Sequence, residues 1–263
     1  MNTPAKSTTI TPITPITLIT GASRGLGKSA ALHIARKGGD VIVTYRSQAA
    51  EAQAVVAEIE ALGRRAVALK LDVGNSSSFA AFATEVRAVL AQHWQRESFD
   101  HLVNNAGIGL GASLMETTEA QFDELMNIHF KGVFFLTQKL LPLIADGGRI
   151  VNISTGLTRF AMPGYAAYAA MKGAVETLTH YMAKELGPRG IAVNVVAPGA
   201  IETDFRDGAV RDNAQVNGFI ASQTALGRVG LPDDIGGLIA NLLNPDNRWV
   251  NAQRIEASGG MFL

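Results

Sequence analysis

The chain has 263 residues, 47% of them hydrophobic and 17% charged, a balance found in compact folded proteins and not in disordered ones. Lys+Arg and Asp+Glu both number 23, so no net field draws the chain to nucleic acid or to an anionic membrane surface, and no apolar run reaches the roughly 18 residues of a membrane helix. There is no cysteine, and the five histidines, at 33, 93, 101, 129 and 180, share no metal-ligand spacing, so no metal site and no thiolate chemistry are expected; a cysteine-free chain suits a reducing compartment, and a cytoplasmic location is expected.

In chain order, residues 1–14 form a Thr- and Pro-rich stretch that reads as a flexible arm. Short β-rich runs then alternate with helical periodicity: Ile16–Thr20, Val41–Tyr45, Ala66–Leu71, His101–Val103, Arg149–Ser154, Ile191–Val196 and Gln253–Glu256 are the strand candidates. Seven strands with helices between them predict an α/β fold, a three-layer Rossmann-type doubly wound parallel sheet, as a single domain over 15–263. The only long irregular stretch, about 200–225, is the expected substrate loop.

Directly after the first strand stands Thr20-Gly21-Ala22-Ser23-Arg24-Gly25-Leu26-Gly27, followed by a helical pattern from Lys28 to Lys37. Glycines here allow a tight turn and let a dinucleotide pyrophosphate approach backbone N–H groups at a helix amino terminus, where the helix dipole favours an anion. At the end of the second strand an NAD-binding site would carry a carboxylate for the ribose 2′-hydroxyl. This chain has Tyr45-Arg46-Ser47 instead, and Arg24 and Arg46 are suited to a 2′-phosphate, so NADP(H) is expected over NAD(H). Asp72-Val73, closing the third strand, is a candidate for the adenine edge, although an Asp there is also a common turn residue.

Tyr168 and Lys172 lie four apart in Tyr165–Leu186, a stretch of helical spacing, and so share one face. Reduction of a carbonyl needs a proton donor beside the hydride, and a neighbouring ammonium is expected to pull the tyrosine pKa down toward working pH. The plainer reading of the pair is a half-buried aromatic with a solvated neighbour.

The turn, Asn104-Asn105-Ala106-Gly107, Tyr168-Ala169-Ala170-Met171-Lys172, Asn194 through Pro198-Gly199, and Ser258-Gly259-Gly260 occur in the order and spacing of the short-chain dehydrogenase/reductase family. From about residue 16 to 260 the chain resembles that family, its 3-oxoacyl-carrier-protein reductases among others. The resemblance implies Asn104 and Ala106 near the adenosine ribose, Gly107 packing the central strand, Ile201 and Thr203 on the nicotinamide carboxamide beyond Pro198-Gly199, and Lys172 on the nicotinamide ribose. It assigns the oxyanion-side hydroxyl to Thr155, thirteen residues before Tyr168, where the family has serine; Ser154 points to the opposite face of its strand. Asn127, in Met126-Asn127-Ile128-His129, resembles the family residue that helps hold a water leading from the lysine to solvent. A homotetramer built on helices at about 118–142 and 165–186 and on the carboxy-terminal strand is implied as well.

Substrate specificity is expected from Gly109–Ser113, Thr155–Tyr165 and Ala200–Ala225, with Phe160, Met162, Pro163, Tyr165, Phe205, Phe219 and Ile220 as apolar candidates. Arg159 and Arg206 are candidates for a substrate carboxylate or a carrier's phosphate, a surface role being the alternative for each. The leading expectation is an NADP(H)-dependent carbonyl reductase. A sugar or polyol dehydrogenase shares these residues. A regulator that binds NADP(H) without turnover is set against by the presence of both Tyr168 and Lys172.

Overall fold

A computed structural model describes residues 14–263, so the expected arm falls outside the described residues except for Thr14. Thr14 is already tied down, its hydroxyl and carbonyl accepting from Arg64 and Arg96 at 3.1 and 3.3 Å. Seven strands form one sheet: β1 (Ile16–Ile19), β2 (Asp40–Tyr45), β3 (Ala66–Lys70), β4 (Phe99–Asn104), β5 (Ile144–Ile153), β6 (Ala192–Pro198) and β7 (Arg254–Ala257). All pair in parallel, in the order β3-β2-β1-β4-β5-β6-β7. The central strand β1, reading ITLI, is buried at every residue, because both faces of a parallel sheet are covered.

On one face pack α1 (Gly25–Arg36), α2 (Ala49–Ala61) and α9 (Pro232–Leu242), around a core that includes Ile34, Val55, Ile59, Ile235 and Ile239. On the other lie α3 (Phe79–Trp94), α4 (Glu119–Met126), α5 (Gly132–Leu140) and α6 (Ala166–Leu186), around Phe79, Phe82, Leu90, Leu136 and Leu140. The order reverses between β1 and β4, where the connections leave to opposite faces and a crevice opens at the strands' carboxyl ends. Among the described residues no helix is long and apolar enough to cross a membrane, and no group of His, Asp or Glu is placed to hold a metal ion.

Two segments differ from expectation. The helix expected at about 118–142 starts with a Thr118/Gln121 capping box but is interrupted by a π turn, Asn127–Lys131, between α4 and α5. Gly132 just beyond it passes so close to the loop after β3 that a Cβ would collide with the Val73 carbonyl oxygen. The stretch at 200–225, read as irregular, carries α7 (Ala209–Asp212) and α8 (Ala214–Ser222). Asn213, taken for a loop former, is the N-cap of α8 and accepts from the N–H groups of Gln215 and Val216 at 3.0 and 3.1 Å.

Candidate active site

A cleft of about 970 Å³ runs along the carboxyl ends of the strands, from the turn after β1 to the segment after β6. Its floor at one end is the turn itself, where Gly21 and Gly25 take left-handed φ of +64° and +56°. The turn is stitched to β4. The Thr20 hydroxyl accepts from the N–H groups of Asn105 and Ala106 at 2.9 and 3.0 Å, and the Asn105 amide donates to the Thr20 and Gly21 carbonyls at 2.9 and 3.0 Å. Gly27 does not line the cleft; it is the packing glycine, since a Cβ there would meet the Gly21 carbonyl, the Asn105 amide nitrogen at 2.6 Å and the Ala22 Cα at 2.8 Å. No side chain caps α1 and its first turn holds no carboxylate, so its leading N–H groups are left for an external anion. That is the fit a dinucleotide pyrophosphate requires.

At the adenosine end of such a ligand, Tyr45, Arg46, Ser47, Asp72 and Val73 line the cleft. Arg46 is exposed and makes no ion pair among the described residues, which leaves its guanidinium for a phosphate. Arg24 lines the same cleft and lies 3.6 Å from Asp204. Asp72 accepts from the Gly74 N–H at 2.9 Å in a turn. Ser23, Leu26, Ala106, Gly107, Pro198, Gly199, Ile201 and Thr203 all reach the cleft wall.

The expectation for Asn104 is corrected. Its amide donates to Thr137 and Asn152 at 3.0 and 2.9 Å, 4% exposed, within a polar ladder that continues from Asn152 to Thr179. Asn104 is the last residue of β4, and the next residue, Asn105, faces the cleft, as the alternation of a strand requires.

Thr155, Tyr168 and Lys172 meet deep in the cleft at 9%, 7% and 4% exposure. Burial pushes the Tyr168 hydroxyl well above its ordinary range, and a hydrogen bond with Thr155 pulls it part of the way back. Lys172 donates to the Ile153 carbonyl at 2.7 Å, and burial lowers its pKa to about 8. The expected lowering of Tyr168 by the ammonium is therefore not the dominant effect here: burial is. Ser154 also borders the cleft, but its hydroxyl is committed, donating to Glu176 at 2.6 Å, and Arg254 donates to Glu176 at 2.9 Å and to the Thr155 carbonyl at 3.3 Å.

Asn127 does not reach the cleft; His129 does. Two residues along a helix turn a side chain by about 200°, so the two cannot share a face. His129 is 1% exposed, its ring edge-on to Tyr168 at 5.1 Å and 89°. One ring nitrogen, Nε2, lies 2.9 Å from the Ile108 carbonyl, while Nδ1 is buried without a partner. Burial first, then the charge of Lys172, hold its pKa well below 6.5. Gly107 makes room for this ring, since a Cβ would lie 2.7 Å from His129 Cε1. A signal for it was present: Leu125, His129, Val133 and Leu136 recur at helical spacing and are all buried, and Asn127 is off that stripe.

Residues 21–262 match the family described as enoyl-(acyl carrier protein) reductase. The 3-oxoacyl-(acyl-carrier-protein) reductase of Staphylococcus aureus is 38% identical, over 95% of this chain and 99% of its own. The chain belongs to the short-chain dehydrogenase/reductase family. Two solved structures of the family superimpose with a TM-score of 0.90. The promiscuous reductase LugOII, which catalyses keto-reduction at C1 in lugdunomycin biosynthesis, is 37% identical over 96% of this chain and 100% of its own. The angucycline C-6 ketoreductase LanV, solved with bound NADP, is 34% identical over 95% and 96%.

Within this short-chain dehydrogenase/reductase the substrate end of the cleft is walled by Leu157, Phe160, Met162, Tyr165, Phe205, Phe219 and Ile220; Pro163 stays outside. The Phe205 ring lies against Tyr168 at 5.7 Å, tilted by 57°. The two candidate substrate arginines part company. Arg159 is spent outside the cleft on Glu256 at 2.7 Å and on the Phe262 carbonyl at 3.1 Å, whereas Arg206 lines it.

Proposed function

We propose that this chain is an NADP(H)-dependent carbonyl reductase interconverting a ketone and a secondary alcohol, acting in the cytoplasm as a homotetramer. The observation that carries the reading is the meeting of the Thr155 and Tyr168 hydroxyls above Lys172 in a cleft that begins at a phosphate-binding turn. NADPH, when bound, supplies the hydride. Ser23 and the leading N–H groups of α1 hold its pyrophosphate, Arg46 with Tyr45 and Ser47 holds the 2′-phosphate, and Asp72 and Val73 take the adenine edge. Asn105 and Ala106 face the adenosine ribose, the role first given to Asn104, and Ile201 and Thr203 face the carboxamide.

Thr155 orients the substrate carbonyl oxygen and Tyr168 gives it a proton. With its pKa raised by burial, Tyr168 is protonated at neutral pH, the form a ketone reduction consumes. Lys172, already holding the Ile153 carbonyl beside it, is placed to hold the nicotinamide ribose, and His129 stands beside Lys172 where Asn127 was expected. The aromatic wall suits a bulky apolar ketone, in keeping with the ketoreductases the fold resembles. Phe122, Phe134, Phe135 and Tyr181, all exposed on α4–α6, support the assembly through those helices.

The test pairs binding with turnover. NADPH is expected to bind more tightly than NADH, Arg46→Ala to remove the difference, and Tyr168→Phe to abolish reduction of an aryl ketone panel while leaving NADPH binding intact. Tighter NADH binding refutes the cofactor assignment. Binding without turnover across the panel favours the regulator, and sedimentation of the holoenzyme as a monomer removes the tetramer.

A further inference from the structure

We propose that Arg206 is a specificity-determining residue that recognises an anionic oxygen, carboxylate or phenolate, on the end of the substrate remote from its ketone. The inference rests on the reductase reading and adds a substrate class to it. Three successive residues after Phe205 have left-handed φ, Arg206 at +53°, Asp207 at +54° and Gly208 at +74°. Only the last is glycine. Two side-chain-bearing residues in that conformation reverse the chain, and the Arg206 side chain, still exposed to solvent, lies along the rim of the cleft.

The trough that receives it is made of positions without side chains. A Cβ on Gly109 would collide with the Arg206 stem and lie 2.8 Å from the Phe205 ring, and a Cβ on Gly111 would lie 2.6 Å from Arg206 Nη2. The guanidinium sits 4.8 Å over the Tyr165 ring and donates to the Tyr165 hydroxyl. A ring face and a neutral phenol leave most of its five N–H groups to solvent, free for exchange with a ligand oxygen, and no carboxylate answers its charge.

The other arginines around this end of the cleft have carboxylates. Arg24 and Arg211 share Asp204, Arg159 has Glu256, and Arg254 has Glu176 and Glu256. Among the described residues Arg206 has none. Its neighbour Phe205 lies tilted against the Tyr168 ring, so a ketone held by Tyr168 and Thr155 lies beside Phe205 and meets Arg206 next. An apolar body with a carbonyl at one end and an anionic oxygen at the other satisfies all three groups.

The probes are 4-acetylbenzoate and 4′-acetylbiphenyl-4-carboxylate, each beside its methyl ester, titrated calorimetrically into the NADP⁺-saturated enzyme and assayed for reduction by NADPH. For at least one length the acid is expected to bind about tenfold tighter than its ester, which is about 1.4 kcal/mol. Arg206→Gln is expected to bring that ratio close to one, and Arg206→Lys to retain most of it. An acid-to-ester ratio of one for both lengths in the wild type overturns the proposal, as does a ratio that survives Arg206→Gln. Acid and ester weakened equally by Arg206→Gln also overturn it, leaving Arg206 as a latch on Tyr165. Selective binding of the acids with no reduction of any probe sustains the recognition site and sinks the reductase reading instead.

Discussion

Gly27→Ala tests the link between the packing of the glycine turn and its proposed ligand. In an open helix the change would add stability, because alanine is favoured over glycine by about 1 kcal/mol. At position 27 the new methyl meets the Gly21 carbonyl, the Ala22 Cα at 2.8 Å and the Asn105 amide at 2.6 Å. None of these yields easily: two are backbone, and the amide is fixed by bonds of 2.9 and 3.0 Å to Thr20 and Gly21. Overpacking of this kind costs about 1–3 kcal/mol, so a net loss of up to about 2 kcal/mol is expected once the helix gain is subtracted. Relief requires the turn and β4 to part, which moves the N–H groups of α1 relative to Ser23, and NADPH affinity should fall by about tenfold or more. Gly218→Ala in α8 is the control: it is exposed, nothing lies within 4 Å of its Cβ, and about 0.5–1 kcal/mol should be gained with NADPH binding unchanged. Urea unfolding and NADPH fluorescence titration read both. A Gly27→Ala protein that unfolds at or above the wild-type midpoint and binds NADPH as tightly would refute the reasoning.

Thr155→Val, which removes the hydroxyl at nearly constant volume, should lower kcat by about 10²–10³ in steady-state assays. Ser154→Ala, losing only its bond to Glu176, should lower stability by about 1 kcal/mol and leave kcat within a few-fold; reversed effects would exchange the two assignments. Because Lys172 has a pKa of about 8, its ammonium is present below that pH, and kcat/KM should decline as pH rises through 8; a profile level to pH 10 would show that its charge is not needed. His101 is held at about 4, by burial first; Asp100 pulls it up and Arg149 and Arg96 push it down. Above pH 6.5 it is neutral folded or unfolded; as pH falls from 6.5 to 4 only the unfolded chain takes the proton, so about 3 kcal/mol of stability drains away across that window. Urea midpoints of His101→Asn should be flatter than wild type between pH 6.5 and 4, and parallel curves would contradict the assignment.

Most of the architecture was legible because the sheet is parallel and buried. Runs such as Val41-Ile42-Val43 have no solvent face, and each is followed at short range by a helix that must cross over, which leaves a doubly wound sheet as the economical arrangement. What was not legible depended on local exceptions to the same rules. Nothing in the composition of 118–142 announces the π turn at Asn127–Lys131, which accompanies the close passage of Gly132 against the Val73 carbonyl, a contact distant in sequence. At 200–225 the Gly, Asp and Asn residues read as loop formers, and Asn213 is in fact a helix cap, which the same residue type serves equally well.

The site was legible wherever a motif's register is fixed by its own geometry, and lost wherever register had to be assumed. Tyr168 and Lys172 are one helical turn apart, so no choice remains once α6 exists, and both enter the cleft. Asn104 and Asn105 are chemically identical, and only the endpoint of β4 decides which one turns inward to Asn152 and which outward to the phosphate turn. Asn127 and His129 differ by two helical residues, and there the family resemblance was read two residues out of register: it put the role on Asn127, while the buried stripe of Leu125, Val133 and Leu136 selects the histidine. The orphaned Nδ1 of His129 follows from that choice, because a ring placed by apolar packing satisfies one nitrogen on Ile108 and leaves the other buried beside Gly107 without a partner. Chain-specific chemistry in this fold is therefore to be sought at such side chains, positioned by packing and left with an unspent donor or acceptor. Arg206 and His129 are the two that line this cleft beside Tyr165 and Tyr168.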